Sequence, residues 1–192
     1  MFLNEPQTAE AAAFLEKERQ ASGYVMNLER AWAWRPDVAE GFIALRKRLM
    51  EGSSLTAREF AVLVCASART LGDSYCALAW GARLAQQSDA STAAAVLKGK
   101  DAAALTARER ALQKWAEQVV RDPNGARAEQ IDALRAAGLS EREILETTVF
   151  IAFRLAFAAI NDALGAPPDA ELIAAAPPEV RAAVTYGRAP QA

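Results

Sequence analysis

Three helix-start signals recur along this sequence and constrain its fold more than any other feature. Each is a hydroxyl residue followed three positions later by glutamate, the pattern of a capping box, in which both side chains satisfy free N–H groups at a helix N-terminus. The pairs are Thr56 and Glu59, Thr106 and Glu109, and Ser140 and Glu143. We therefore predict helices at about 56–71, 106–121 and 140–164.

Glycine and proline mark the limits of further helices. The residues between these breakers predict helices at about 10–21, 28–34, 36–50, 73–87, 91–98 and 127–137. The segment after residue 165 contains two Pro-Pro pairs and is expected to hold one short helix. No segment alternates apolar and polar residues over the length of a strand, so the sequence predicts an all-α fold.

Composition supports this prediction and excludes several classes of function. The 192 residues include 46 alanines but only 7% aromatic residues, which favours helices packed through small side chains. The net charge of −2 implies no strongly basic surface, so nucleic acid is not an expected partner. The absence of histidine removes Ser-His-Asp and Cys-His catalysis and every histidine-containing zinc site. We expect no metal and no cofactor.

Cysteine usage and the lack of long apolar segments indicate the compartment. Two cysteines are too few for a disulfide scaffold or a four-cysteine metal site, so a reducing cytoplasm is expected. The N-terminal segment has no signal-peptide pattern. The most apolar stretch, Val149–Ile160, is too short to span a bilayer, so we expect a soluble protein without membrane contact.

Cys76 is the strongest candidate for reactive chemistry. If Asp73 caps the helix that follows it, Cys76 occupies the first helical turn, where the helix dipole favours the thiolate. The negative charge of Asp73 opposes this effect, and Cys76 could instead be a small buried apolar residue. Cys65 lies within the apolar stretch 60–68 and is interpreted as a core residue. Whether Cys65 and Cys76 approach closely enough for a disulfide stays open.

Arg154 and Trp80 are candidate binding residues. Arg154 is the only charge in an apolar run, where an unpaired charge is costly. It is expected either to pair with a carboxylate or to reach a cavity or subunit interface, where it could hold an anionic ligand. Trp80 lies one turn after Cys76 and would shape the surroundings of its sulfur, although tryptophans more often pack in a core or interface.

The segment Leu55–Ala85, LTAREFAVLVCASARTLGDSYCALAWGARLA, resembles the core motif of the alkylhydroperoxidase D / carboxymuconolactone decarboxylase family. The resemblance extends over residues 24–165. It implies a single-domain, alkylhydroperoxidase D-like bundle of about seven to nine helices at 24–165. An N-terminal helix in 1–23 would precede this bundle, and a Pro-punctuated tail, 166–192, would follow it.

The resemblance assigns roles to individual positions. Family members with peroxidase activity use a relay glutamate, a Cys-x-x-Cys pair and a histidine. Cys76 matches the second cysteine, the one that attacks the peroxide, and Tyr75 keeps the aromatic residue between the two cysteines. The other three positions are replaced, with Ala61 for the glutamate, Asp73 for the first cysteine and Trp80 for the histidine.

The function that the resemblance implies is a peroxidase-related, antioxidant oxidoreductase that reduces hydroperoxides through one thiolate, Cys76. Reduction of the oxidised sulfur would then need an external thiol or Cys65. Two alternatives stay open: a lyase or isomerase of the carboxymuconolactone decarboxylase type that uses Asp73 as general acid or base, and a catalytically silent, ligand-binding oligomer. Family members assemble into dimers, trimers or hexamers, so we also expect a homo-oligomer.

Overall fold

The computed structural model describes residues 1–189, which form eleven α-helices and one short 3-10 helix. The helices are α1 Ala9–Ser22, α2 Asn27–Trp32, α3 Pro36–Glu51, α4 Ala57–Leu71, α5 Ser74–Gln87, α6 Ala90–Leu97, α7 Ala107–Arg121, α8 Ala128–Ala136, α9 Glu141–Ala163, α10 Ala170–Ala175 and α11 Pro178–Ala183. These residues contain no β-strand, which confirms the all-α prediction. The helices are more numerous than the predicted seven to nine because α2, α10 and α11 are short six-residue segments.

All three predicted capping boxes are present. At the start of α4, the Thr56 Oγ1 accepts a hydrogen bond from the Glu59 amide over 3.1 Å, and the Glu59 Oε2 accepts one from the Thr56 amide over 2.8 Å. The same reciprocal bonds begin α7 and α9. The interpretation of Glu59 as a capping residue is therefore confirmed.

Arginines connect the three capping glutamates to one another. Arg108 on α7 pairs with Glu59 over 2.6 Å and with Glu143 over 2.5 Å. Arg58 on α4 pairs with Glu109 over 2.6 Å. Both arginines are mostly buried, so these ion pairs fix the N-terminal ends of α4, α7 and α9 against one another.

The main core surrounds α4. Every residue from Glu59 to Ala68 is buried, as expected of a helix enclosed on all sides. Helices α5, α7 and α9 pack against it, and α6 and α11 cover α5. A smaller apolar cluster joins α1, α2 and α3 to the C-terminal half of α9, where the rings of Trp32 and Phe157 stack at 5.6 Å. This arrangement presents the N-terminus of α5 to the middle of α9.

The C-terminal segment differs from its sequence prediction. It contains two short helices, α10 and α11, where one was predicted, because α10 follows the pair Pro167-Pro168 and Pro178 of the second pair begins α11. The Ser74 hydroxyl donates a hydrogen bond to the Arg188 carbonyl over 2.7 Å, which holds this segment against the start of α5. Within the described residues no helix is long and apolar enough to cross a membrane. The predicted division at residues 24 and 165 stays a prediction.

Candidate active site

The candidate site is built at the N-terminus of α5. Gly72 ends α4 with φ of 85°, a left-handed conformation that glycine adopts without steric cost, and the chain turns directly into α5. The Asp73 Oδ1 then accepts a hydrogen bond from the Cys76 amide over 2.9 Å. Asp73 is therefore the N-cap of α5, as predicted, and Cys76 lies in its first turn.

Arg154 reaches this turn from α9. Its Nη2 donates a hydrogen bond to the Cys76 Sγ over 2.9 Å, while its Nε has no hydrogen-bond partner. The residue is only 5% exposed, and it forms no ion pair with a carboxylate anywhere in residues 1–189. A carboxylate, a cavity or a subunit interface was expected beside Arg154, and in the structure it lies beside a cavity and a sulfur.

A small pocket lies between α4, α5 and α9. Its volume is about 10 Å³, close to the smallest space that holds one water molecule. Cys76, Arg154 and Asp73 contribute the polar part of its lining, and the Asp73 Oδ2 is buried without a hydrogen-bond partner. The rest of the lining is mainly apolar and comprises Val64, Ser67, Ala68, Leu71, Leu155 and Ala158. A thiol, a guanidinium and a carboxylate thus converge on a space that admits only a very small molecule without side-chain movement.

Burial is the largest influence on the pKa of the Cys76 thiol. It raises the pKa of Cys76 above the usual value for cysteine. The guanidinium of Arg154 lowers this pKa, and the negative charge of Asp73 raises it further. The sequence left open whether the helix N-terminus or burial and Asp73 dominate, and in the structure the loss of solvent is the largest influence on this pKa.

This raised pKa gives a testable pH dependence. Only the thiolate is alkylated, so below the pKa the rate is expected to rise about tenfold per pH unit, or about 100-fold between pH 7 and pH 9. Asp162 has its pKa raised to about 6 by burial and by the charge of Asp73, so it is ionised throughout this range. Iodoacetamide labelling of Cys76, followed by peptide mapping, measures the slope. A plateau near pH 7 would show instead that the thiolate is already formed.

Trp80 and Tyr75 occupy different surroundings. The ring of Trp80 is buried and lies 5.6 Å from the guanidinium carbon of Arg154, so Trp80 does border the candidate site. Tyr75 is also buried, but its hydroxyl donates a hydrogen bond to the Asp169 carboxylate, and it does not line the Cys76 pocket. Tyr75 thus fixes the segment before α10 to α5.

Cys65 does not share the pocket. It is fully buried in α4, as predicted, and burial raises the pKa of its thiol. Both cysteines are free, so the Cys65–Cys76 disulfide that the sequence left open is not formed. Ala61, at the position of the family's relay glutamate, is buried in the same helix and offers no polar group.

Arg83 was missed in the sequence analysis. Its guanidinium carbon lies 4.6 Å from the ring of Trp80. The guanidinium carbon of Arg154 lies 5.6 Å from the same ring. Helical spacing contained the signal, because residues 76, 80 and 83 recur at i, i+4 and i+7 and therefore share one face of α5. Burial and the charge of Arg154 lower the pKa of Arg46 on α3, and nothing in the sequence relates Arg46 to Arg154.

The fold is that of the alkylhydroperoxidase D-like proteins, so the resemblance seen in the sequence is confirmed for the fold. The structure is similar to the alkylhydroperoxidase AhpD core of an uncharacterized peroxidase-related protein from Ralstonia eutropha JMP134, with TM-score 0.77, 22% identity, and coverage of 89% of this chain and 93% of that one. A peroxidase-related protein from Silicibacter sp. TM1040 is similar with TM-score 0.77, 23% identity and the same coverage.

The fold is also similar to that of a debrominase. A cysteine-to-alanine variant of the debrominase Bmp8 in complex with 2,3,4-tribromopyrrole matches with TM-score 0.71, 18% identity, and coverage of 90% of this chain and 92% of that one. No protein-family model matches the chain, and no curated protein matches it. One fold therefore serves proteins described as peroxidase-related and a debrominase, so the reaction of this chain has to be argued from its own residues.

Proposed function

We propose that the protein reduces hydroperoxides and that the Cys76 sulfur is the attacking atom. One observation carries this proposal: the buried Arg154 guanidinium has no acidic partner and donates its hydrogen bond to the Cys76 Sγ over 2.9 Å. A buried cation that forms no ion pair is costly, and ionisation of Cys76 would supply an anion in direct contact with it. Arg154 would then perform the charge-stabilising task for which this site has no histidine.

The first step would be attack of the sulfur on the outer peroxide oxygen. A sulfur–oxygen bond forms, the oxygen–oxygen bond breaks, and the proton lost by the thiol passes to the departing oxygen. The products are a sulfenic acid on Cys76 and an alcohol, or water when the substrate is hydrogen peroxide. Arg154 would stabilise first the thiolate and then the negative charge on the departing oxygen.

The second step needs a reductant from outside the chain. Cys65 is buried in α4 and does not line the pocket, so it is poorly placed to attack the sulfenic acid. A small external thiol would displace water to give a mixed disulfide. A second thiol would then release Cys76 and leave as the oxidised, disulfide-linked reductant.

A trapping experiment tests this proposal. Brief treatment with stoichiometric hydrogen peroxide in the presence of dimedone is expected to add one dimedone group to Cys76. The reaction should disappear in Cys76→Ser and persist in the matched variant Cys65→Ser, because Cys65 has no access to the pocket. Intact-mass analysis and peptide mapping measure the adduct. Equal peroxide consumption by the wild type and Cys76→Ser would overturn the proposal.

A second candidate function uses Asp73 as the reacting group in a lyase or isomerase reaction. Its support is the Asp73 Oδ2, which is buried, lacks a hydrogen-bond partner and belongs to a residue that lines the pocket. Such a carboxylate could accept a proton from a bound substrate. It would do so without any contribution from the Cys76 sulfur.

Asp73→Asn tests whether Asp73 takes part in the peroxide reaction. Asparagine caps a helix about as well as aspartate, so α5 should be retained. Loss of the negative charge lowers the pKa of Cys76, and the rate of peroxide oxidation at pH 7.5 is expected to rise about three- to tenfold. Stopped-flow fluorescence of the nearby Trp80 can follow the reaction. A fall of more than tenfold in a folded variant would make Asp73 a proton acceptor in the reaction.

We also propose that the chain assembles as a homo-oligomer. Helices α3 and α9 leave large apolar side chains exposed, namely Ile43, Leu45, Leu145 and Val149. Apolar surface of this kind is typical of an interface between protein chains. The cytoplasmic location and the catalytically silent, ligand-binding alternative stay predictions from the sequence.

A further inference from the structure

Two polar atoms beside the Cys76 pocket have no partner in the described chain. The Asp73 Oδ2 and the Arg154 Nε are both buried without a hydrogen bond to any of residues 1–189. Asp73 is 1% exposed and Arg154 is 5% exposed, and both residues line the pocket. An unpaired buried polar group is costly, so a molecule that enters the pocket and pairs with these two atoms is bound favourably.

The two atoms define the chemistry of such a molecule. The carboxylate oxygen of Asp73 accepts a hydrogen bond and the Nε of Arg154 donates one, so the molecule has to donate as well as accept, as a hydroxyl group does. It also has to be neutral. The charges of Asp73 and Arg154 already oppose each other, and a further charge would lose its hydration in a pocket whose lining is mainly apolar.

The walls of the pocket limit the size of the molecule. The pocket volume is about 10 Å³, at the lower limit for one water molecule. Val64 and Ala68 form the wall on α4, where every residue from Glu59 to Ala68 is buried, so this wall is also packed on its other sides. Leu155 and Ala158 form the wall on α9. A larger molecule therefore has to displace side chains that have little room to move.

Hydrogen peroxide meets these limits better than any other hydroperoxide. It is neutral, carries an O–H group at each end and exceeds water by only one oxygen atom. In an organic hydroperoxide, an alkyl group replaces the hydrogen on the inner oxygen. This group removes one hydrogen-bond donor and adds carbon atoms for which the walls leave no space. A site built to bond a hydroxyl group rejects an analogue that lacks it, because the polar atoms of the site are then left unpaired.

We propose that the Cys76 pocket selects hydrogen peroxide over organic hydroperoxides, with the Asp73 Oδ2 and the Arg154 Nε as its hydrogen-bond partners. The inference rests on the proposed function, which it deepens by naming the substrate. The sulfur bonds to one peroxide oxygen, the oxygen–oxygen bond breaks, and the thiol proton joins the departing oxygen. The products are the Cys76 sulfenic acid and one water molecule. Water is small enough for the pocket, whereas the alcohol formed from an organic hydroperoxide is not.

Two oxidants, hydrogen peroxide and tert-butyl hydroperoxide, test the inference. Both react with the same thiolate, so the ratio of their rates does not depend on the pKa of Cys76. Glutathione, whose thiol is open to solvent, gives the ratio that the oxidants show without a pocket. The ratio for Cys76, hydrogen peroxide over tert-butyl hydroperoxide, is expected to exceed that for glutathione about 100-fold. Dimedone trapping followed by peptide mapping measures the rates at Cys76.

Val64→Ala is expected to relax this selectivity because it removes two methyl groups from the wall of the pocket. The rate with tert-butyl hydroperoxide should rise about tenfold relative to that with hydrogen peroxide. Val62→Ala is the matched control, since Val62 is also buried on α4 but does not line the pocket, and it should leave the ratio unchanged. Leu155→Ala opens the wall on α9 and should act like Val64→Ala. Circular dichroism verifies that each variant is folded.

The outcomes separate this inference from the proposed function. Equal ratios for Cys76 and glutathione would overturn the selectivity, while oxidation of Cys76 by both reagents would leave the proposed function intact. A high ratio that neither Val64→Ala nor Leu155→Ala lowers would also overturn the inference, as would an equal loss of selectivity in Val62→Ala. Lack of Cys76 oxidation by either reagent would overturn both proposals.

Discussion

Replacement of Arg154 by methionine is expected to slow the oxidation of Cys76 by hydrogen peroxide about 10- to 100-fold at pH 8. A hydrogen bond to a charged group contributes about 1.5–3 kcal/mol, and each 1.4 kcal/mol corresponds to about tenfold in rate or equilibrium. Arg154 donates such a bond to the Cys76 Sγ, and its charge opposes the rise in pKa caused by burial. The variant therefore has a smaller thiolate fraction at any pH below the pKa.

The same variant is expected to keep or gain stability. Arg154 is buried without an acidic partner and its Nε is unpaired, so its desolvation is poorly compensated. Methionine has a similar length and packs well against the rings of Trp80 and Phe157. Urea denaturation should give a free energy of unfolding within about 1 kcal/mol of the wild type, or higher. Lower stability together with an unchanged oxidation rate would show that Arg154 is a structural residue only.

Replacement of Phe150 by alanine is expected to lower the free energy of unfolding by about 3–5 kcal/mol. Phe150 is 1% exposed on α9, and its ring packs against that of Phe60 on α4 with centroids 4.8 Å apart. This contact joins α4, which forms one wall of the candidate site, to α9, which carries Arg154. The cavity left by the missing ring has no neighbouring side chain free to fill it, because α4 is enclosed on all sides.

The adjacent residue provides a matched control for Phe150. Val149→Ala removes an apolar side chain from the next position of the same helix, but Val149 is 40% exposed. In the separate chain its effect is expected to stay within about 0.5 kcal/mol, because a surface substitution makes no cavity. Both variants are therefore compared at a protein concentration at which light scattering gives the mass of a single chain. Urea denaturation followed by circular dichroism measures both variants. Equal losses for the two variants would mean that α9 contributes through helix propensity rather than through packing against α4.

Much of the fold could be predicted from local signals. The three capping boxes fixed the starts of α4, α7 and α9 because their hydrogen bonds join residues only three positions apart. Gly72 and Asp73 marked the turn into α5 for the same reason. The C-terminal segment was predicted less well. Its two six-residue helices are too short to show a periodic pattern, and contacts with α5 and α6 stabilise them.

The candidate site could be predicted only in part. The sequence placed Cys76 in the first turn of a helix and indicated that the charge of Arg154 needs a partner or a cavity. In the structure Cys76 lies in the first turn of α5, and Arg154 lies beside a cavity and the Cys76 sulfur. The sequence left the direction of the Cys76 pKa shift open, because the helix dipole is a local effect whereas desolvation depends on everything packed around the sulfur. It also gave no indication that Arg154 reaches the Cys76 sulfur, since these residues belong to distant parts of the chain.

The sequence by itself thus determined the helices, their caps and the position of the one thiol that begins a helix. These features depend on residues within one or two helical turns of each other. Local hydrogen bonds and backbone preferences set them without tertiary contacts. Only the tertiary structure decided which charge the thiol meets, how much water reaches it, and which arginines share its surroundings. Each of these depends on the packing of α5 and α9 against α4, and packing brings together residues that are distant along the chain.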